Sequence, residues 1–175
     1  SRRQRQMCIR DSHDAWMRTY FKKELGIDVF FEPKKFKINS KKFFIGHGDG
    51  LGPGDYGYKF LKLIFRNSFF KFLFSCIHPD ISIRIGEYLS RKNSVISGKE
   101  IKFESNEKEL LFNYCKKILK SDHYNYFVFG HRHLPLKINL GNNSQYYNCG
   151  DWFNHYSYLD FTNSELTLKY FNPEI

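Results

Sequence analysis

The chain has 175 residues and a mass of 21.0 kDa, enough for one domain with a substantial core. Hydrophobic residues make up 41% and charged residues 26%, values that exclude a wholly disordered chain. The net charge of +10 predicts an anionic partner, whether nucleic acid, anionic lipid or a phosphorylated substrate, and the longest nearly apolar run, Phe69 to Ile77, is too short for a membrane-spanning helix.

Residues 1–12, SRRQRQMCIRDS, show no periodicity and resemble a translated sequencing-library adapter, with a native basic arm as the alternative. Removing their four arginines and Asp11 lowers the net charge from +10 to +7, so the basic character survives. Native protein is then expected from His13, with its preceding part missing. Asp14 to Leu25 has helical spacing of apolar residues and stops at Gly26. Asp28–Phe31, Lys35–Ile38 and Lys41–Ile45 read as strands, the last running into the glycine-dense loop Gly46–Asp55. Residues 56–102 form the expected helical insertion, rich in Phe, with a helix opening at Pro79. Asn106–Leu119 is a further helix. Strands follow at Tyr126–Phe129, Leu136–Leu140, Gln145–Cys149, His155–Phe161 and Leu166–Phe171, separated by Asn-rich turns. Cys8, Cys76, Cys115 and Cys149 are widely spaced without a CxxC pair, which predicts a reducing, cytoplasmic setting.

Two motifs carry chemistry. Gly130-His131-Arg132-His133 leaves the apolar strand YFVF, and Gly46-His47-Gly48-Asp49 leaves KKFFI. Alone, the first reads more readily as an incidental surface pair than as ligands, and the second more readily as a turn. Together, each behind a strand and a glycine, they point to imidazole ligands for a divalent metal. Asp49 is a candidate to orient His47, or else caps its loop. His78, His123 and His155 have no such setting and read as ordinary polar residues.

GHRH resembles the GHxH signature of the calcineurin-like metallophosphoesterases, and GHGDG their isolated-histidine motif. Ser12-His13-Asp14 is similar to the remains of their GNHD motif, with serine in place of asparagine. Within that superfamily, HGDGLGPGD followed by a basic insertion and Arg91-Lys92-Asn93-Ser94 resembles the UDP-2,3-diacylglucosamine diphosphatases. The resemblance implies an α/β/β/α sandwich, N-terminally truncated within residues 13–175, with the insertion 56–102 as a lid. It implies two divalent metal ions, Mn2+ above all, with His47 and His131 on one and His133 on the other. It also implies His13 as a proton donor and Asp55, Arg91, Asn93 and Ser94 as substrate contacts. No Asp-x-His or GDxxD motif is present upstream, so the second metal site is incomplete in this chain and little activity is expected of it alone.

The implied reaction splits the pyrophosphate of a nucleotide-linked glycolipid in lipid A synthesis, at the cytoplasmic face of the inner membrane. Residues 56–102 hold nine Lys or Arg against three acids, a net of +6, and Tyr56 to Phe74 holds eight aromatics. An aromatic face beside basic residues suits acyl chains and anionic headgroups; a core helix with a solvated face is the plainer alternative. The rival functions are another phosphoesterase of the superfamily, acting on a soluble nucleotide or phosphoprotein, and a nucleic-acid-binding module. No RNP-like motif or recognition helix supports the last.

Overall fold

A computed structural model describes residues 7–9, 18–51, 60, 63–64, 67–78, 80–85, 87–88 and 109–172. The chain divides into two compact units, 1–53 with 105–175, and 54–104.

The first unit is built on a five-stranded mixed sheet, which makes it an α/β fold. Its strands are β3 (Lys34–Ile38), β4 (Lys41–Ile45), β5 (Tyr126–Phe129), β6 (Pro135–Gly141) and β7 (Ser144–Cys149), in the spatial order β3-β4-β5-β7-β6. The three central strands β4, β5 and β7 are parallel, and each edge strand is antiparallel to its neighbour. Register aligns Phe44, Phe127, Tyr146 and Ile138 in one row across four strands. Side chains alternate faces along a strand, so the row packs beneath helix α3 (Leu110–Leu119), against Leu111 and Cys115. The neighbouring residues Phe43, Tyr126 and Tyr147 face the other way. There they meet Leu159, Phe161, Leu166 and Leu168 of the hairpin β8 (Ser157–Thr162) and β9 (Glu165–Tyr170). The sheet is therefore covered by a helix on one face and by a hairpin on the other. Paired FF, YF and YY in the central strands supply both cores at once, as expected of strands buried on two sides.

Three hairpins close with two-residue turns in which both central residues have positive φ: Asn39-Ser40, Asn142-Asn143 and Asn163-Ser164. That is the turn whose twist matches the strands it joins, and asparagine tolerates it best. Outside the sheet, α1 (Arg18–Glu24) leads into β2 (Asp28–Phe30), which pairs in parallel with β1 (Met7–Ile9). This pairing is not foreshadowed by the sequence, where residues 1–12 lack any strand pattern.

In the second unit, helix α2 (Ser68–Ser75) is started by Asn67, whose side chain accepts the Phe69 amide at 2.8 Å, and residues 80–85 are helical. Phe69, Phe70, Phe72 and Leu73 of α2 are all exposed. No helix among the described residues is long and apolar enough to cross a membrane.

Several boundaries shift by one residue from the sequence expectation, and two of those described shift by more. Helix α3 starts at Leu110 because Glu109 is extended, with φ −76° and ψ 107°. Strand β8 starts at Ser157, and His155 lies in the turn before it.

Candidate metal centre at the strand ends

The parallel strands β4, β5 and β7 all deliver their exits to one edge of the sheet, where open α/β sheets bind ligands. Each exit has the same form, a glycine and then a side chain able to bind a metal or a proton: Gly46-His47, Gly130-His131 and Gly150-Asp151. A Cβ on Gly46 would lie 2.9 Å from Pro33 Cγ and 3.2 Å from the Phe129 ring. Gly130 faces His47 at ordinary contact distance, with Nδ1 3.5 Å from where a Cβ would stand. The Gly46 amide donates to the Val128 carbonyl at 3.0 Å, and the Gly130 amide to the His47 carbonyl at 2.9 Å. Parallel pairing thus continues past both strands and ties the two histidine loops together.

The outcome is that His47 and His131 meet, with ring centroids 5.3 Å apart and planes at 71°. A metal–nitrogen distance of about 2.1 Å, plus about 1 Å to each ring centre, puts two imidazoles of one tetrahedral ion about 5 Å apart at their centroids. The pair therefore fits two ligands of one ion. Among the described residues, no group of three His, Cys, Asp or Glu is arranged to hold a metal ion.

His131 and His133 both occupy the left-handed region, at φ 61° and 51°, and the Arg132 amide between them donates back to the Gly130 carbonyl at 2.6 Å. Non-glycine residues in this region carry strain that only a well-determined surrounding sustains. Two contacts supply that surrounding. The Arg132 guanidinium lies 3.3 Å from the Glu109 carboxylate, whose side chain is 2% exposed at the start of α3. Asn148, fully buried on β7, donates its side-chain amide to the Gly130 carbonyl and accepts the Gly150 amide at 3.1 Å. Glu109 Oε1, Arg132 Nε and the Tyr146 hydroxyl are buried without a hydrogen-bond partner, and burial together with nearby Glu109 pushes the Tyr146 phenol up.

The His133 side chain is 64% exposed, with Nδ1 3.7 Å from Asp151 Oδ2. His155 Nδ1 lies 3.4 Å from the same oxygen. Burial would raise the Asp151 pKa, but hydrogen bonds from the Asn154 amide, the Asn154 side chain and His155 outweigh it and hold the carboxyl well below the usual carboxylate range. Asp151 escapes the sequence reading, as does His155. The signal that finds it is the third repetition of strand, glycine and ligand-type residue.

Asp49 is buried in the His47 loop. Gly48 beside it, at φ 110°, leaves room for a Cβ only 3.1 Å from Leu111 Cδ1 and 3.4 Å from His131 Cβ. His13, Asp55, Arg91, Asn93 and Ser94 lie outside the described residues.

No protein-family model matches the chain. Among curated proteins it is similar to the UDP-2,3-diacylglucosamine hydrolase of Porphyromonas gingivalis, 27% identical over 172 residues that cover 90% of the chain. Proteins of the same name from Shewanella baltica and Psychromonas ingrahamii are 23% and 20% identical and cover 92% and 91% of it. The chain spans 65% of the length of the Porphyromonas relative, just under two thirds.

Proposed function

We propose that this chain is the greater part of a metal-dependent hydrolase that splits the pyrophosphate of UDP-2,3-diacylglucosamine. The products are UMP and 2,3-diacylglucosamine 1-phosphate, in lipid A biosynthesis. The observation that carries the reading is the His47–His131 pair at 5.3 Å on adjoining parallel strand ends, in a chain whose relatives are hydrolases of that name. The α/β/β/α sandwich of the calcineurin-like phosphoesterases is part of the same proposal, and the helix–sheet–hairpin layering supports it.

His47 and His131 would hold one divalent ion, Mn2+ by preference, and His133 a second. Bound metals of this kind neutralise phosphate charge and lower the pKa of a bound water. The chain's own contribution is positional. The glycines let backbone and imidazole approach, Asn148 fixes the Gly130 carbonyl, and the Glu109–Arg132 pair anchors the turn between His131 and His133. The exposed Phe69 and Phe72 of α2, in a segment of net charge +6, suit acyl chains at the cytoplasmic face of the inner membrane.

The test is Mn2+-dependent release of UMP by this sequence joined to its upstream reading frame. His47→Ala and His131→Ala should each lower the rate at least about 100-fold, as expected for loss of metal-binding groups. Replacing both Phe69 and Phe72 by serine should raise KM for the glycolipid and leave a short-chain, soluble analogue nearly unaffected. A joined protein that cleaves soluble phosphodiesters but not the glycolipid would overturn the assignment in favour of another phosphoesterase. The 175-residue chain alone is expected to release little UMP, because among its described residues no group of three His, Cys, Asp or Glu is arranged to hold a metal ion.

A further inference from the structure

We infer that Asp151 is the positioning residue of His133: its Oδ2 accepts a hydrogen bond from the Nδ1–H of the imidazole and leaves Nε2 as the nitrogen presented to a ligand. The inference deepens the proposed metal centre and rests on that reading for what Nε2 would bind. It starts from the way Asp151 is itself held. Oδ1 accepts the amides of Phe153 at 3.0 Å, Asn154 at 2.5 Å and His155 at 3.3 Å, and Oδ2 accepts the Asn154 side-chain amide at 3.1 Å. The side chain is 5% exposed, and two imidazoles place Nδ1 near Oδ2, His155 at 3.4 Å and His133 at 3.7 Å.

The loop that carries Asp151 is fixed to the loop that carries His133. Asn148 bonds both Gly130 and Gly150, and the Ser157 hydroxyl donates to the Cys149 carbonyl at 2.7 Å. At 3.7 Å the His133 contact is longer than a hydrogen bond. His133 is largely exposed, however, so a small rotation of its ring about χ1 and χ2 closes the gap without moving Asp151. A histidine ligand with its second nitrogen bonded to a carboxylate is held in one tautomer and made a better donor, and loss of such a partner typically costs 10–100-fold in metal affinity. His155 Nδ1 lies 3.4 Å from the same Asp151 oxygen and is the second imidazole beside it.

A role confined to the turn 151–155 predicts something different, and the variant Asp151→Asn separates the two. Its side-chain oxygen still accepts the amides of Phe153 and Asn154, so the turn survives. Its nitrogen replaces Oδ2 with a donor, which His133 can meet only by accepting at Nδ1 and moving its proton to Nε2. Long-range 1H–15N spectra of the 175-residue chain, at a pH well above the ordinary histidine pKa, report the tautomer directly. The wild-type chain should show His133 protonated at Nδ1, His155→Gln should keep it so, and Asp151→Asn should shift the population to Nε2–H. Mn2+ titration followed by broadening of the His133 signals should then weaken 10–100-fold in Asp151→Asn. A wild-type His133 protonated at Nε2, which needs no variant to detect, or a tautomer unchanged in Asp151→Asn, would overturn the inference. Wild-type signals that ignore Mn2+ while the tautomer behaves as stated would overturn the metal reading and leave the Asp151–His133 contact standing.

Discussion

The two ends of the parallel strands are made of the same kinds of chain and behave differently. At the end where β4, β5 and β7 begin, positive φ falls on Asn39-Ser40 and Asn142-Asn143, which tolerate it. Polar groups there are met in ordinary ways: the Lys42 amide donates to Asn125 Oδ1 at 2.9 Å, and the Ser144 hydroxyl to the Tyr124 carbonyl at 2.7 Å. At the end where the strands finish, positive φ falls on His131 and His133, and Glu109, Arg132 and His155 each keep a buried atom without a hydrogen-bond partner. One end holds the sheet together; the other spends stability to aim side chains. Strain and unmet polar atoms gathered at one edge are what a functional site leaves in a fold.

Removing the support of the strained end should have the largest effect. Glu109→Ala leaves the Arg132 guanidinium without its counter-charge beside a buried, unpartnered Nε. Breaking one half of a buried pair is strongly destabilising, and since Arg132 is partly exposed a loss of about 3 kcal/mol in urea unfolding is expected. A loss below about 0.5 kcal/mol, the range of ordinary surface changes, would mean that the two ends do not differ in this way. The opposite sign is expected for His133→Gly. Glycine adopts φ 51° without a Cβ penalty, so the variant should gain roughly 0.5–1 kcal/mol. If it destabilises instead, contacts of His133 outweigh its backbone strain and the comparison is sharpened toward Asp151.

How much of this was legible in the sequence follows the range of the interactions. The strands of the sheet are readable because their apolar residues and Asn-rich turns are local signals. The meeting of His47 and His131 is readable because two strand–glycine–histidine exits invite parallel neighbours. Asp151 is not, since its value lies in three backbone amides that converge only once residues 151–155 fold into a turn, and the same residues read as the approach to a strand. Glu109 reads as helix interior within Asn106–Leu119. Its side chain pairs with Arg132, 23 positions away and invisible to any local pattern. The split into histidine edge and structural edge appears only when strand order is known.

The smallest effect is expected at the structural end. Asp122 Oδ2 accepts the Tyr124 hydroxyl at 2.7 Å, and Lys42 and Lys35 lie 3.4 and 3.5 Å from the carboxylate. The Tyr124 hydrogen bond first, then the two lysines, outweigh desolvation and lower the pKa from 3.8 to about 2. A carboxyl whose folded pKa lies below its unfolded value favours the folded state once ionised. Its contribution is complete above the unfolded value of 3.8 and is lost as pH falls through about 2. Asp122→Asn should therefore change neutral-pH stability little, because exposed pairs with lysine are screened, and should flatten the decline of the urea midpoint between those two values. Asp151 and Asp160 also sit below the usual carboxylate range, so part of the acid sensitivity should persist in Asp122→Asn and shrink further in the double variant with Asp151→Asn. If Asp122→Asn keeps the full acid slope, the titrating groups that matter are Asp151 or the hairpin's Asp160, and the structural end owes its stability to backbone turns rather than to charge.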